Sequence, residues 1–172
     1  MSYMTPAQLA DIPGALELAE LTSERGHRPV ATALMDATLR GGDREAFQPP
    51  DVARADVCLA RINAAIADTT AVIDGYLARR YSLPLASTPA LLVAWARAIV
   101  RYRLHGDRIS GEGTDPVVRD YRDTLRQLEH VAAGKFSLGI EDPTTGSTGL
   151  GDFVIHGGDK QFGRSERGGR GY

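Results

Sequence analysis

Histidine, cysteine and paired carboxylates are the side chains best able to do chemistry near neutral pH, and this sequence carries few of them. The histidines are His27, His105, His130 and His156, and none has another at i+3 or i+4. No His-Glu-x-x-His run is present, so the sequence offers no helical zinc pair. Cys58 is the only cysteine, which excludes an internal disulfide and a cysteine-based zinc site. It falls near the expected start of a helix, a position that can lower a thiol pKa, yet it reads as a small core residue. Asp68 and Asp74 lie six residues apart on one predicted helix and so point in different directions. They read as solvated or ion-paired groups, not as an acid–base couple. P-loop, dinucleotide-binding and Gly-x-Ser-x-Gly patterns are absent. The expectation is a non-enzymatic protein with no catalytic residue, no metal site and no cofactor.

Two groups of residues point to binding instead. Arg97, Arg101, Arg103 and Arg108 form a possible basic strip around one helix, suited to phosphates or an acidic subunit, or else to local ion pairs. The C-terminal stretch alternates isolated aromatics and arginines with glycine, residue types that dominate interface energetics. An extended arm of this kind can add a strand to a neighbour's sheet and insert aromatic anchors. Its arginines are few and diluted by Asp159 and Glu166, which favours a protein partner over single-stranded nucleic acid.

The elements that must carry these groups are mainly helical. Thr5-Pro6 pairs a capping hydroxyl with proline at the first helical position, and Pro13-Gly14 interrupts the turn it opens. Leu16, Leu18, Ala19 and Leu21 mark a second short helix ending near Gly26. Residues 26–55 read as a loop-like insert, with Pro29, Gly41-Gly42 and Pro49-Pro50 as punctuation and a short helix from Ala31 to Leu39. Asp56 is the expected cap of a helix running to about Arg80. Its stripe is Ile62, Ile66, Thr69, Ile73, Tyr76 and Leu77, and Gly75 suggests close packing. Thr88-Pro89 opens another helix with Leu92, Trp95, Ile99 and Tyr102 inward, stopping at Gly106. Asp115-Pro116 opens the last, with Val118, Tyr121, Leu125, Leu128 and Ala132 inward, stopping at Gly134. Amphipathic helices in series bury their stripes against one another, so the fold class is mainly α, a bundle of three to four helices.

The 172 residues suit one domain with an appendage, and a hydrophobic fraction of 42% supplies a core. The division is a helical domain over residues 1–138 and a flexible Gly/Arg-rich arm over 139–172, with Phe153-Val154-Ile155 as a possible short strand. A net charge of −2 selects neither nucleic acid nor membrane. The opening residues lack the pattern of a signal peptide, and no stretch approaches a membrane span, so assembly in a cytoplasm is expected.

Several segments together resemble a known family. Met1-Ser-Tyr-Met-Thr-Pro-Ala-Gln-Leu9 resembles its opening. The centre is Ile66-Ala-Asp-Thr-Thr-Ala-Val-Ile-Asp-Gly-Tyr-Leu-Ala-Arg-Arg-Tyr-Ser-Leu-Pro-Leu85, followed by Ala98 through Gly106 and Tyr121 through Gly139. The end, Phe162 through Tyr172, is similar to an aromatic–arginine–Gly-Tyr terminus. The family is the small head–tail connector of Mu-like phages and prophages, related to adaptor (head-completion) proteins of long-tailed phages. Residues 26–52 stand outside the resemblance. It implies a virion protein of the head–tail neck, assembled in the bacterial host cytoplasm. It implies a self-associated ring of twelve copies beneath the portal protein, extending the channel for double-stranded DNA and receiving the tail or a stopper. It also implies an arm that reaches the portal, which maps onto Phe153, Ile155, Phe162, Arg164, Arg167, Arg170 and Tyr172. Competing readings are another neck protein, such as a stopper or tail-completion protein, and a nucleic-acid-binding module using the arginine strip and the arm.

Overall fold

The computed structural model describes residues 2–109 and 115–140. The order is α1 (Pro6–Leu9), a wide turn (Ala10–Gly14), α2 (Ala15–Thr22), α3 (Thr32–Arg40), α4 (Pro49–Leu77), α5 (Ala90–His105), a single 3-10 turn (Gly106–Arg108) and α6 (Pro116–Ala132). No β-strand occurs among the described residues. The architecture is the expected helical bundle. The possible strand at Phe153–Ile155 lies outside the described residues.

Local chemistry sets the helix ends. Thr5 caps α1 through a reciprocal pair: its Oγ1 accepts from Gln8 N at 3.3 Å, and Gln8 Oε1 accepts from Thr5 N at 2.9 Å. Pro13 follows Ile12, which leaves helical geometry (φ −146°, ψ 121°), so α1 and α2 are separate pieces. The Asp115 carboxylate accepts from Val117 N at 2.8 Å and starts α6. Gly134, at φ +74°, ends it: its N–H donates to Val131 O and that of Lys135 to His130 O, the paired bonds of a left-handed helix stop. Gly41 and Gly42 close α3 in the same way onto Thr38 O and Ala37 O.

Two boundaries and one packing expectation differ from the sequence reading. The long helix begins at Pro49, not Asp56, and is 29 residues long. Pro49 and Pro50 occupy its first turn, where a missing N–H costs nothing, so they are a start and not punctuation. With α3, this makes about half of 26–55 helical and leaves residues 26–31 and 41–48 as the connecting loops. Thr88 makes no capping bond, because α5 starts one residue later, at Ala90 after Pro89. Gly75 does not mark close packing: it is exposed, and a Cβ built there meets nothing within 4 Å.

The core runs through every helix. Ile62, Ile73 and Leu77 of α4 pack with Leu9, Leu18, Leu34 and Met35 from the N-terminal helices and with Leu92, Ile99, Leu128 and Val131 from α5 and α6. Thr69 joins this stripe because its hydroxyl donates back to Ala65 O at 2.7 Å, leaving its methyl to pack. Tyr102 of α5 stacks on Tyr121 of α6, ring centres 3.9 Å apart.

Candidate assembly surfaces

The arginine strip does not survive folding as a free cationic surface. Arg101 grips Glu17 of α2 with Nε at 2.5 Å and Nη2 at 2.9 Å from the two carboxylate oxygens, and that bond raises its pKa above the ordinary value. Arg103 pairs with Asp68 at 3.2 Å. Arg108 donates to Glu20 O, and Arg61 of α4 donates to Thr22 O. Both carbonyls belong to the last turn of α2, where they lack helical partners and carry the negative end of the helix dipole. Two guanidinium groups therefore finish α2. Arg97 differs: its Nε is buried with no hydrogen-bond partner among the described residues.

The candidate reactive residues are likewise placed in structural roles. Cys58 is buried in the third turn of α4, away from a helix start, with Ser23 Oγ 3.9 Å from its sulfur. It lines a cavity of about 220 Å³ with Thr22, Ser23, Val30, Val57, His27, Arg54 and Arg61 among its walls. His27 is exposed beside Glu24, and His105 Nδ1 lies 2.8 Å from Arg101 O. Asp68 faces Arg103, whereas Asp74 accepts from the Tyr3 hydroxyl. Among the described residues no cluster of three or more His, Cys, Asp or Glu is placed to hold a metal ion. No described helix is long and apolar enough to cross a membrane.

What sequence reasoning missed is the outer face of α4. Ala53, Val57, Ala60, Ala64, Ala67, Ala71, Gly75 and Ala78 recur at three- and four-residue steps, and all are exposed. At 1.5 Å per residue this face is about 37 Å long. None of its members is charged or polar, although a solvent-facing helix normally carries Glu, Lys or Arg there. One flank bears Arg54, Arg61, Asp68 and Arg79, and the other Asp56, Asn63 and Asp74. The signal was in the sequence, as the complement of the Ile62–Leu77 stripe. It was hidden because alanine is also the best helix former and draws no notice on propensity alone.

A second apolar patch lies where the described chain ends. After α6, residues 134–140 fold back onto the turn between α4 and α5. Arg80 donates to Phe136 O at 3.2 Å, Leu138 N donates to Tyr81 Oη at 3.1 Å, and Phe136 packs tilted against Trp95 with ring centres 6.2 Å apart. The expected arm residues Phe153, Ile155, Phe162, Arg164, Arg167, Arg170 and Tyr172 lie outside the described residues.

The described residues form a helical bundle, and the sequence of this chain is matched among proteins of phages and prophages. The chain belongs to the family described as Bacteriophage Mu, Gp36, which it matches over residues 3–154. It is 43% identical over 83 residues to the Mu-like prophage FluMu protein gp36 of Haemophilus influenzae, across 48% of this chain and 56% of that protein. It is 36% identical over 105 residues to gene product J of Escherichia phage Mu, across 60% of this chain and 72% of that protein. The first match thus spans little more than half of the Haemophilus protein's length.

Proposed function

We propose that this chain is a structural, non-enzymatic protein of the phage particle: a head–tail adaptor whose copies form a ring under the portal. The ring extends the DNA channel and gives the tail or a stopper protein its attachment surface. The observation that carries this reading is the uncharged outer face of α4, in a chain that belongs to a phage protein family. An uncharged face of that length is a surface on which a neighbouring subunit can pack. As one contact it is modest. A strip about 37 Å by 10 Å is about 400 Å² a side, below the roughly 800 Å² per partner of a standard stable interface. Contacts this size hold weakly in pairs and gain from closure and from a template. That fits a subunit that joins its neighbours on the portal.

The arm, residues 139–172, supplies the portal contact in this reading, through the aromatics and arginines from Phe153 to Tyr172. DNA passes through the lumen with sequence-independent contact. The rival nucleic-acid module is weakened, because Arg101, Arg103 and Arg108 are engaged within the fold. The deciding experiment is binding of the full chain, and of a chain truncated after Gly149, to the intact portal ring of the same phage. Binding lost on truncation supports an adaptor anchored by its arm. Equal binding by both moves the anchor to the bundle. No binding by either overturns the adaptor reading and makes salt-dependent DNA affinity the next measurement.

A further inference from the structure

The patch at the root of the arm has its own consequence. Leu91 and Phe136 are each 39% exposed and Leu83 is 36% exposed, so three large apolar side chains near the root of the arm are partly open to solvent. Leu91 lies one helical turn before Trp95 on α5, and Phe136 packs on Trp95; Trp95 itself is buried, so the open apolar side chains are Leu91 and Phe136, both neighbours of Trp95. Leu83 lies in the turn that holds residues 136–138 through Arg80 and Tyr81. The described chain ends at Ile140, four residues beyond Phe136, and the sequence continues to Tyr172.

We propose that Phe153-Val154-Ile155 of the same chain docks on Leu91 and Phe136, beside Trp95, before assembly. The argument is one of tether length. Between Ile140 and Phe153 the sequence is dominated by Gly, Thr, Ser and acidic residues, and a chain of that composition and length spans about 20 Å root-mean-square. A segment so tethered reaches a patch at its own root at an effective concentration in the millimolar range. A second copy in dilute solution offers far less. Docking covers the exposed apolar side chains, but ordering the segment opposes it, so the contact is reversible. An arm held this way keeps Phe153 and Ile155 from non-specific contacts and releases them to a partner that binds them better.

The inference builds on the reading of the arm as the portal-binding segment, but it is tested without the portal, so either can fail alone. Hydrogen exchange is followed at amides 90–95 and 134–140 in the full chain, in the chain truncated after Gly149, in the double variant Phe153→Ser/Ile155→Ser, and in Leu91→Ser. Trp95 is the only tryptophan, so its emission reports on the same surface. The full chain is expected to exchange severalfold more slowly at these amides, with all three alterations giving the same faster exchange and a red-shifted Trp95 emission. Leu91 is already partly exposed, so its replacement leaves the fold intact, which the exchange of α4 verifies. Indistinguishable exchange in the full and truncated chains overturns the proposal. So does protection that grows with protein concentration, which assigns the cover to another copy.

Discussion

The hydroxyl of Tyr3 donates to Oδ1 of Asp74, joining residues 71 positions apart and tying the start of the chain to the last third of α4. Tyr3 is almost fully buried. Burial, and then the neighbouring Asp74 carboxylate, push the phenol well above its ordinary pKa of 10.0. The folded protein therefore holds this proton more tightly than the unfolded chain does. The stability so gained is intact below pH 10.0 and is lost progressively as pH rises beyond it. Thermal melts from neutral to strongly alkaline pH should show this loss. Tyr3→Phe should be less stable at neutral pH by about 1–2 kcal/mol, because Asp74 keeps its charge without its donor. It should also show a shallower alkaline decline, and an equally steep decline in the variant would sink the assignment.

The bundle was legible because its signals are local. Thr5-Pro6, Asp115-Pro116 and the three- and four-residue apolar steps each dictate structure within one or two turns. Gly134 was readable as a stop for the same reason. What stayed hidden depends on distant partners. Nothing near Arg101 in sequence points to Glu17, and nothing near Arg61 or Arg108 shows that they finish α2. The α4 start was misplaced because Pro-Pro suits a loop and a helix's first turn equally, and only the packing of Ala55 and Cys58 decides. Of the proposed binding surfaces, the arm was visible by composition. The α4 face required knowing which side of the helix remains open.

Glu17 and Arg101 form the one two-pronged ion pair between α2 and α5 among the described residues. Their side chains are 27% and 34% exposed, so solvent screens the pair only in part. Arg101→Lys keeps the charge but loses the fork. It should cost about 0.5–1 kcal/mol, and Glu17→Gln about the same. The double variant should cost less than the sum of the two, since both remove one interaction. Urea denaturation of the four proteins measures the coupling. Strict additivity would show that the two side chains act independently.

Gly75 offers a cleaner test of α4. It sits in the last turn of α4, with open space where a Cβ would go. Gly75→Ala should stabilise the isolated protein by about 1 kcal/mol, the difference in helix propensity between the two residues. Chemical denaturation is the measurement. If the variant is instead less stable, something occupies that face in the free protein, and self-association should be examined at once.

The outer face of α4 carries the proposed ring contact, so altering it should separate folding from assembly. Ala64→Arg and Ala71→Arg together place two guanidinium groups, two turns apart, in the middle of that face. Both positions are exposed, and arginine is a good helix former, so the melting temperature should change by no more than about 2–4 °C, equivalent to roughly 1 kcal/mol. In a ring, each subunit would then bury unpaired charge against a neighbour, which costs several kcal/mol per contact. Binding of the variant to the intact portal ring should fall from cooperative filling to sparse occupancy, read by native mass spectrometry. A matched double change on α6, Arg122→Ala and Glu129→Ala, both exposed, should leave filling unchanged. If the α4 variant fills the portal as the parent does, the lateral contact lies elsewhere on the bundle. The alanine face must then meet a different partner, of which the tail-side protein is the next to test.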